Sequence, residues 1–327
     1  MSTSKKRARV DDIDSDNEPA VQAIPPTRSS DFWFSDGSVV LEAESTRFRV
    51  HSSMLALHST VFKGMLQHLK IGKAHHKMID GCPFIPLDDS EEEVTYMLSA
   101  LYEKNPRPRP APFSLFAALL RLGIKYDVKC LRNEAIDILE SALPTTLEKY
   151  QKLNTKTNGI IDYSSNVLMD VIDLVTETSV LSCLPAAYLI LSEDIDSIMY
   201  GATREDDTAV VLDEGAKNAI ICGRNKLLKD APFKAFSWVK GSGSACGQKR
   251  ACMAALHDAM EDLWRNQVQQ LTCFETFKKS LLSRFCATCQ AEYGKTHRDE
   301  QRKMWNDLPT YFGWTSWKDL PNIHSSK

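Results

Sequence analysis

The sequence predicts an α+β chain: a small sheet with a helical cluster near the N-terminus, followed by a mainly α-helical C-terminal domain. Three observations carry that reading. Val39-Val40-Leu41 and Phe48-Arg49-Val50 are β-favouring runs on either side of Glu44-Ser45-Thr46. From His51 onward, apolar residues recur at the spacing of a helix face. The chain has 327 residues, 43% hydrophobic and 25% charged, which is close to the globular average and enough for about two domains.

Residues 1–30 are expected to be a disordered tail. Lys5, Lys6, Arg7 and Arg9 form a basic block; Asp11, Asp12, Asp14, Asp16 and Glu18 form an acidic one. Few large apolar residues accompany them, so burial cannot offset the entropy of ordering the chain.

Residues 31–145 read as the first domain. Asp36-Gly37 follows Phe32-Trp33-Phe34 as a hairpin signal, so 31–50 gives two or three short strands. Leu55, Val61, Phe62, Met65 and Leu66 anchor helical turns, with a break near Ser59. Residues 70–80 are polar and read as a loop. Residues 82–87 read as an edge strand, because Pro83 and Pro86 cannot donate to a ladder. Ser90 with Glu93 is a capping-box pattern ahead of Val94, Met97, Leu98 and Leu101. The prolines of 105–112 break that helix. Phe113, Phe116, Ala117, Leu120 and Ile124 form one apolar stripe; Leu131, Ala135, Ile138 and Leu139 form the next. Phe62 and Leu120 are expected in the core. Pro144 ends the last helix, and Thr145 with Glu148 is a candidate cap for its successor.

Residues 146–327 read as a helical domain. A polar connector over 150–163 leads to Val167, Val171, Leu174 and Val175, then to Leu181, Leu184, Ala187 and Tyr188. Residues 201–207 read as a loop and 216–229 as a helix. The Gly/Ser-rich stretch 241–247 is a flexible connector, and helical periodicity resumes over 253–285. Trp305, Trp314 and Trp317 are expected to seal the tail against the helical body rather than to stack on a ligand.

Composition excludes several classes. Lys and Arg total 40 against 43 Asp and Glu, which argues against a whole-chain binder of nucleic acid. No apolar run approaches the roughly 20 residues of a membrane span. The N-terminal residues lack the apolar stretch of a secretory signal, so the protein is expected to be nuclear or cytoplasmic, not secreted. Nine cysteines without an export signal read as reduced thiols. There is no H-E-x-x-H, G-x-S-x-G or H-R-D, and the glycines of 241–247 do not make a phosphate loop, so catalysis is not expected. Asp170 and Asp173 read as charges on a solvated helix face.

A series of residues in order nevertheless points to a family. Asp31-Phe32-Trp33-Phe34 with Asp36-Gly37, then Phe48-Arg49-Val50-His51, then Leu55, Ser59, Phe62 and Met65 come first. Leu87-Asp88-Asp89, Leu101-Tyr102, and the stretch from Leu119 through Tyr126 to Leu131 complete it. This series resembles the BTB/POZ domain. The tail wording, Leu308-Pro309, Phe312-Gly313-Trp314, is similar to BTB proteins of mushroom-forming fungi. The resemblance implies a protein–protein interaction scaffold without catalysis. His51, at the strand-to-helix switch, is then a capping or packing residue.

Two departures from the family refine this. No amphipathic helix can form from Glu18-Pro19-Ala20-Val21 ahead of the first strand, which implies a monomer or weak homodimer. Leu66-Gln67-His68-Leu69-Lys70-Ile71 lacks the apolar-x-Glu motif of cullin-binding members. The alternatives are a substrate adaptor of a cullin-based ubiquitin ligase and an indirect transcriptional co-regulator. Protein partners are expected, with no direct nucleic acid and no membrane.

One cluster carries possible chemistry. Cys286-Ala287-Thr288-Cys289 has the spacing at which two thiolates share a zinc ion. Cys246 and Cys252 are the nearest plausible pair for the other two ligands, at an unusual five-residue separation, with Cys273 and His297 as substitutes. A redox pair and buried free thiols remain open, the latter being the default. No cofactor beyond such a structural zinc is expected. Cys82, Cys130, Cys183 and Cys222 read as isolated core-filling thiols. Lys5, Lys6, Arg7 and Arg9 match a short import signal, and Ser15, followed by Asp16 and Glu18, resembles an acidic-directed phosphorylation site that would screen it.

Overall fold

The computed structural model describes residues 26–71, 77–102, 108, 110–153, 160–240, 246–267, 272–276 and 279–320. The import signal at Lys5, Lys6, Arg7 and Arg9, and Ser15, lie outside the described residues. So does most of the connector at 241–247.

The N-terminal unit begins with β1 (Thr27–Trp33), β2 (Val39–Ala43) and β3 (Thr46–Val50). β2 and β3 form the hairpin, closed by a tight turn in which Glu44 takes a positive φ of 50°. Asp36-Gly37 is therefore not a hairpin turn, since β1 crosses to pair in parallel with β3. β1 also starts at Thr27, four residues before the expected onset of order at Asp31. Thr27 and Arg28 are held opposite Thr46 and Arg47, and Arg28 pairs with Asp80 at 2.7 Å.

Helices α1 (Ser52–His58) and α2 (Thr60–Ile71) follow, then β4 (Met78–Ile79) and β5 (Cys82–Leu87). The polar loop is thus shorter than expected, with helix at one end and a strand at the other. The sheet order is β1-β3-β2-β5-β4. β5 is an interior strand, not an edge. Its prolines are tolerated because β4 is only two residues long, opposite Cys82 and Pro83. Pro86 lies past the end of β4, and the parallel register with β2 starts only at Phe84.

The break near Ser59 has a physical cause. Its buried hydroxyl donates to the Tyr126 carbonyl at 2.5 Å and accepts the Phe62 N–H at 2.9 Å. It thereby ends α1, starts α2 and ties both to a later helix. Helix α3 (Glu91–Tyr102) opens on the reciprocal Ser90–Glu93 capping box. Helices α4 (Phe113–Lys125) and α5 (Lys129–Ala142) pack on each other. At their closest approach, a Cβ on Gly123 would meet the Arg132 backbone nitrogen at 2.7 Å, so only glycine fits. Phe62 and Leu120 are fully buried, as expected.

The C-terminal helices are α6 (Leu147–Tyr150), α7 (Ser165–Glu177), α8 (Leu184–Leu191), α9 (Ile195–Tyr200), α10 (Glu214–Asp230), α11 (Lys249–Gln267), α12 (Lys279–Leu282), α13 (Ala287–Asn306) and α14 (Leu308–Tyr311). The residue at the N-cap of α6 is Thr146, without a side-chain cap; the Thr145 carbonyl instead accepts the Trp305 indole N–H at 2.8 Å. Residues 201–207 are not all loop. β6 (Ala202–Thr203) pairs with β7 (Ala209–Val210), and Arg204 clamps Asp170 on α7 with three hydrogen bonds of 2.6–3.1 Å. The expected periodicity over 253–285 breaks into α11, a 3₁₀ turn at Thr272–Phe274 and α12. Met253, which opened that stretch, is exposed.

The main hydrophobic core crosses the expected domain boundary without interruption. It runs from Phe32 and Phe48 through Leu120 and Leu139 to Leu174, Tyr188 and Trp305. Arg121 to Glu177 at 3.1 Å bridges the same seam at the surface. The tryptophans of the tail do seal it. Trp305 is buried against Tyr150 and Phe274, Trp317 stacks on Trp305, and Trp314 lies on Tyr188.

A second, smaller core stands apart. Trp238, Cys246, Cys252, Ala255, Leu256, Ala259, Leu281, Phe285, Cys289 and Tyr293 form it. Helix α13 joins the two: its first turns lie in the small core and its last, at Met304 and Trp305, in the main one. Twenty residues of helix span about 30 Å.

Candidate functional site

The four cysteines Cys246, Cys252, Cys286 and Cys289 come together, with all four Sγ atoms within 4.8 Å of one another. Two helix beginnings place them. Cys286 occupies the N-cap position of α13 and Cys289 lies in its first turn. Cys252 lies in the first turn of α11, and Cys246 lies three residues before that helix. A Cys-x-x-Cys across a helix start turns both side chains to one side, because three residues is close to one helical turn.

Cys246, Cys252 and Cys289 are buried and Cys286 is half-buried. The Cys246 and Cys286 sulfurs are 3.9 Å apart, far beyond the roughly 2.05 Å of a disulfide. The Cys286 backbone N–H donates to the Cys252 sulfur at 3.3 Å. The Cys289 backbone N–H, together with the neighbouring thiols, draws the Cys286 thiol down to about 7, whereas burial pushes Cys289 up to about 12. The helix start thus favours thiolate at the more exposed position.

The substitute ligands do not join the cluster. Cys273 lies in the main core, where burial raises its pKa to about 12. His297 is buried between Phe236 and Trp238, and its Nδ1–H donates to the Ala235 carbonyl at 2.6 Å. Of the cysteines read as core fillers, Cys82 and Cys183 are buried but Cys130 and Cys222 are exposed. Both exposed thiols lie on helices, α5 and α10, where periodicity rather than residue type sets the outward face.

His51 packs as expected. Its ring lies against Phe34 and Tyr102, with Nδ1 3.1 Å from the Tyr102 hydroxyl and Nε2 3.2 Å from Asp36. It stands at the N-cap position of α1 without making a side-chain cap. On the same unit, Leu57, Met65 and Met78 are exposed apolar side chains. Among the described residues, no helix is long and apolar enough to cross a membrane.

Residues 29–143 match the BTB/POZ domain. The match takes in β1 from Ser29, the rest of the sheet and helices α1 to α5, so the N-terminal unit is a BTB domain followed by a helical C-terminal region. No curated protein and no solved structure matches the chain.

Proposed function

We propose that this protein is a non-catalytic interaction scaffold that docks protein partners through its BTB domain. The observation that carries the reading is the domain itself: the BTB/POZ family is a protein-interaction module, generally without catalysis, and here its match spans residues 29–143. Exposed Leu57 and Met65 on α1 and α2 supply apolar contact that a partner would cover. The test is quantitative affinity purification of the whole chain beside a Leu57→Asp/Met65→Asp variant with unchanged thermal unfolding. Partners whose recovery falls several-fold in the variant are expected. Recovery of no protein above background would overturn the reading, and a cullin among the partners would move it to a ligase adaptor. The lack of an apolar-x-Glu motif in 66–71 speaks against that outcome.

The scaffold is a monomer or weak homodimer. In support, β1 pairs within its own chain and Phe32 is buried in its own core, so no strand needs a second copy. Sedimentation at micromolar concentration should show mostly monomer; a dimer that survives dilution would refute this. Nuclear entry through Lys5, Lys6, Arg7 and Arg9, damped by phosphate on Ser15, is the proposed route for a nuclear pool. A large fluorescent reporter carrying residues 1–30 should enter nuclei, and lose entry when the four basic residues become alanine. The likeness to fungal BTB proteins rests on the Leu308-Pro309 and Phe312-Gly313-Trp314 wording of the tail alone.

A further inference from the structure

We infer that Cys246, Cys252, Cys286 and Cys289 bind one zinc ion, and that this ion fastens the small C-terminal core around the first turn of α13. Three features of the cluster support the inference together.

The first is geometry. Four sulfurs at about 2.3 Å from a tetrahedral zinc lie about 3.8 Å from each other. The observed spread, within 4.8 Å, with one pair at 3.9 Å, needs only small side-chain adjustments to reach that arrangement. The set is too tight to surround a cluster of several iron and sulfide atoms, and an all-thiolate tetrahedral set suits zinc.

The second is charge. Zinc with four thiolates carries a net charge of −2, and each bound thiol gives its proton to solvent. Two helices begin at the cluster, so their partially positive ends face that charge. The backbone N–H of Cys286 already points at the Cys252 sulfur, a bond that strengthens when the sulfur is anionic.

The third is the size of the core. Among the described residues, ten buried ones make up the small cluster, and three of them are these cysteines. Apolar burial on that scale rarely holds segments in place without a metal or disulfide staple. The segments it must hold are far apart in sequence, since Cys246 and Cys252 precede α11's body and Cys286 and Cys289 open α13. The ion would therefore fix one end of α13 while Trp305 fixes the other in the main core.

The test uses the whole chain, purified without added metal. Elemental analysis should find about one zinc per chain. Cys286→Ser/Cys289→Ser should lower it to a small fraction, and Cys130→Ser/Cys222→Ser, which alters exposed thiols elsewhere, should leave it unchanged. Because the first variant could fail to fold, wild-type protein stripped with a chelator gives a second measurement. Hydrogen exchange should then rise over 246–263 and 281–293 and stay unchanged over 39–66. Cobalt replacing the ion should give the visible bands of tetrahedral thiolate coordination. Metal-free protein, protein holding iron alone, or a mass two hydrogens lower from a Cys246–Cys286 disulfide would overturn the inference. None of these outcomes depends on whether the BTB domain finds partners.

Discussion

Phe62→Ala tests how the chain is built. Phe62 is fully buried, and its ring stacks on Tyr126 with centroids 4.5 Å apart and planes 18° apart. Removing a buried Phe side chain costs about 3–5 kcal/mol, more where the site cannot collapse. Here the main wall of the cavity is pinned. The Tyr126 hydroxyl donates to buried Asp89, its carbonyl accepts from Ser59 at 2.5 Å, and its N–H donates to Leu122 at 2.9 Å. A loss of about 4–5 kcal/mol is therefore expected. The shift in midpoint depends on how much of the chain unfolds together. Unfolding entropy is roughly 2.1 cal/mol/K per residue. If the 115 residues of the BTB domain unfolded alone, about 4 kcal/mol would lower Tm by about 17 °C. If roughly twice as many residues, those packed around the continuous core, unfolded together, the drop would be about 8 °C. The unbroken core predicts the smaller figure, in one transition. Calorimetry of the wild type, of Phe62→Ala and of Leu57→Ala as an exposed control decides it. An unchanged midpoint would refute the burial argument, and a separate early transition would refute the single core.

Other perturbations follow from single contacts. Gly223→Ala should cost about 1–3 kcal/mol, because the new methyl would sit 2.3 Å from a Phe312 ring carbon and 3.0 Å from the Tyr311 carbonyl; an unchanged chemical-denaturation midpoint would show that α10 and the tail do not meet there. His297 has its pKa pulled down to about 4 by burial, below the ordinary value near 6.5. The unfolded chain then takes up a proton that the folded chain refuses, so its contribution is intact above about pH 6.5 and is lost as pH falls toward 4, on the order of 3 kcal/mol in all. His297→Gln should flatten that part of the pH–stability curve, and an identical slope in the variant would refute it. Tyr126→Phe should cost about 1–3 kcal/mol, since it removes the hydroxyl that Asp89 accepts from, leaving Lys125 at 2.6 Å as that carboxylate's charged partner; denaturation showing no loss would mean water replaces the hydroxyl.

How much of this was legible in the sequence depended on the range of the interactions. The Ser90–Glu93 box, the stripes of α4 and α5, and the burial of Phe62 and Leu120 were readable because each is set within a few residues. The strand order was not. Asp36-Gly37 looks like a hairpin signal, but the preceding strand is claimed by β3 through pairs such as Thr27–Thr46. The same limit explains β5, whose prolines suggest an edge until the two-residue length of β4 is known. Short hairpins such as β6–β7 leave too little pattern to see, and what secures this one is the Arg204–Asp170 clamp from another element.

The cysteine cluster shows the same division within one site. Cys286 and Cys289 were recognisable because their three-residue spacing is itself the geometry, set by one turn of α13. Cys246 and Cys252 were only the nearest plausible pair, because nothing local says that the start of α11 meets the start of α13 across more than thirty residues of chain. Cys273 and His297 were nearer in sequence, yet Cys273 faces the main core and His297 is committed to the Ala235 carbonyl. What separates ligand from bystander is the helix beginning. Cys286 and Cys289 lie at the first turn of α13, where the Cys286 backbone N–H donates to the Cys252 sulfur, and Cys246 and Cys252 lie just before and within the first turn of α11. Cys273, in a 3₁₀ turn, and His297, in mid-helix, have no such setting.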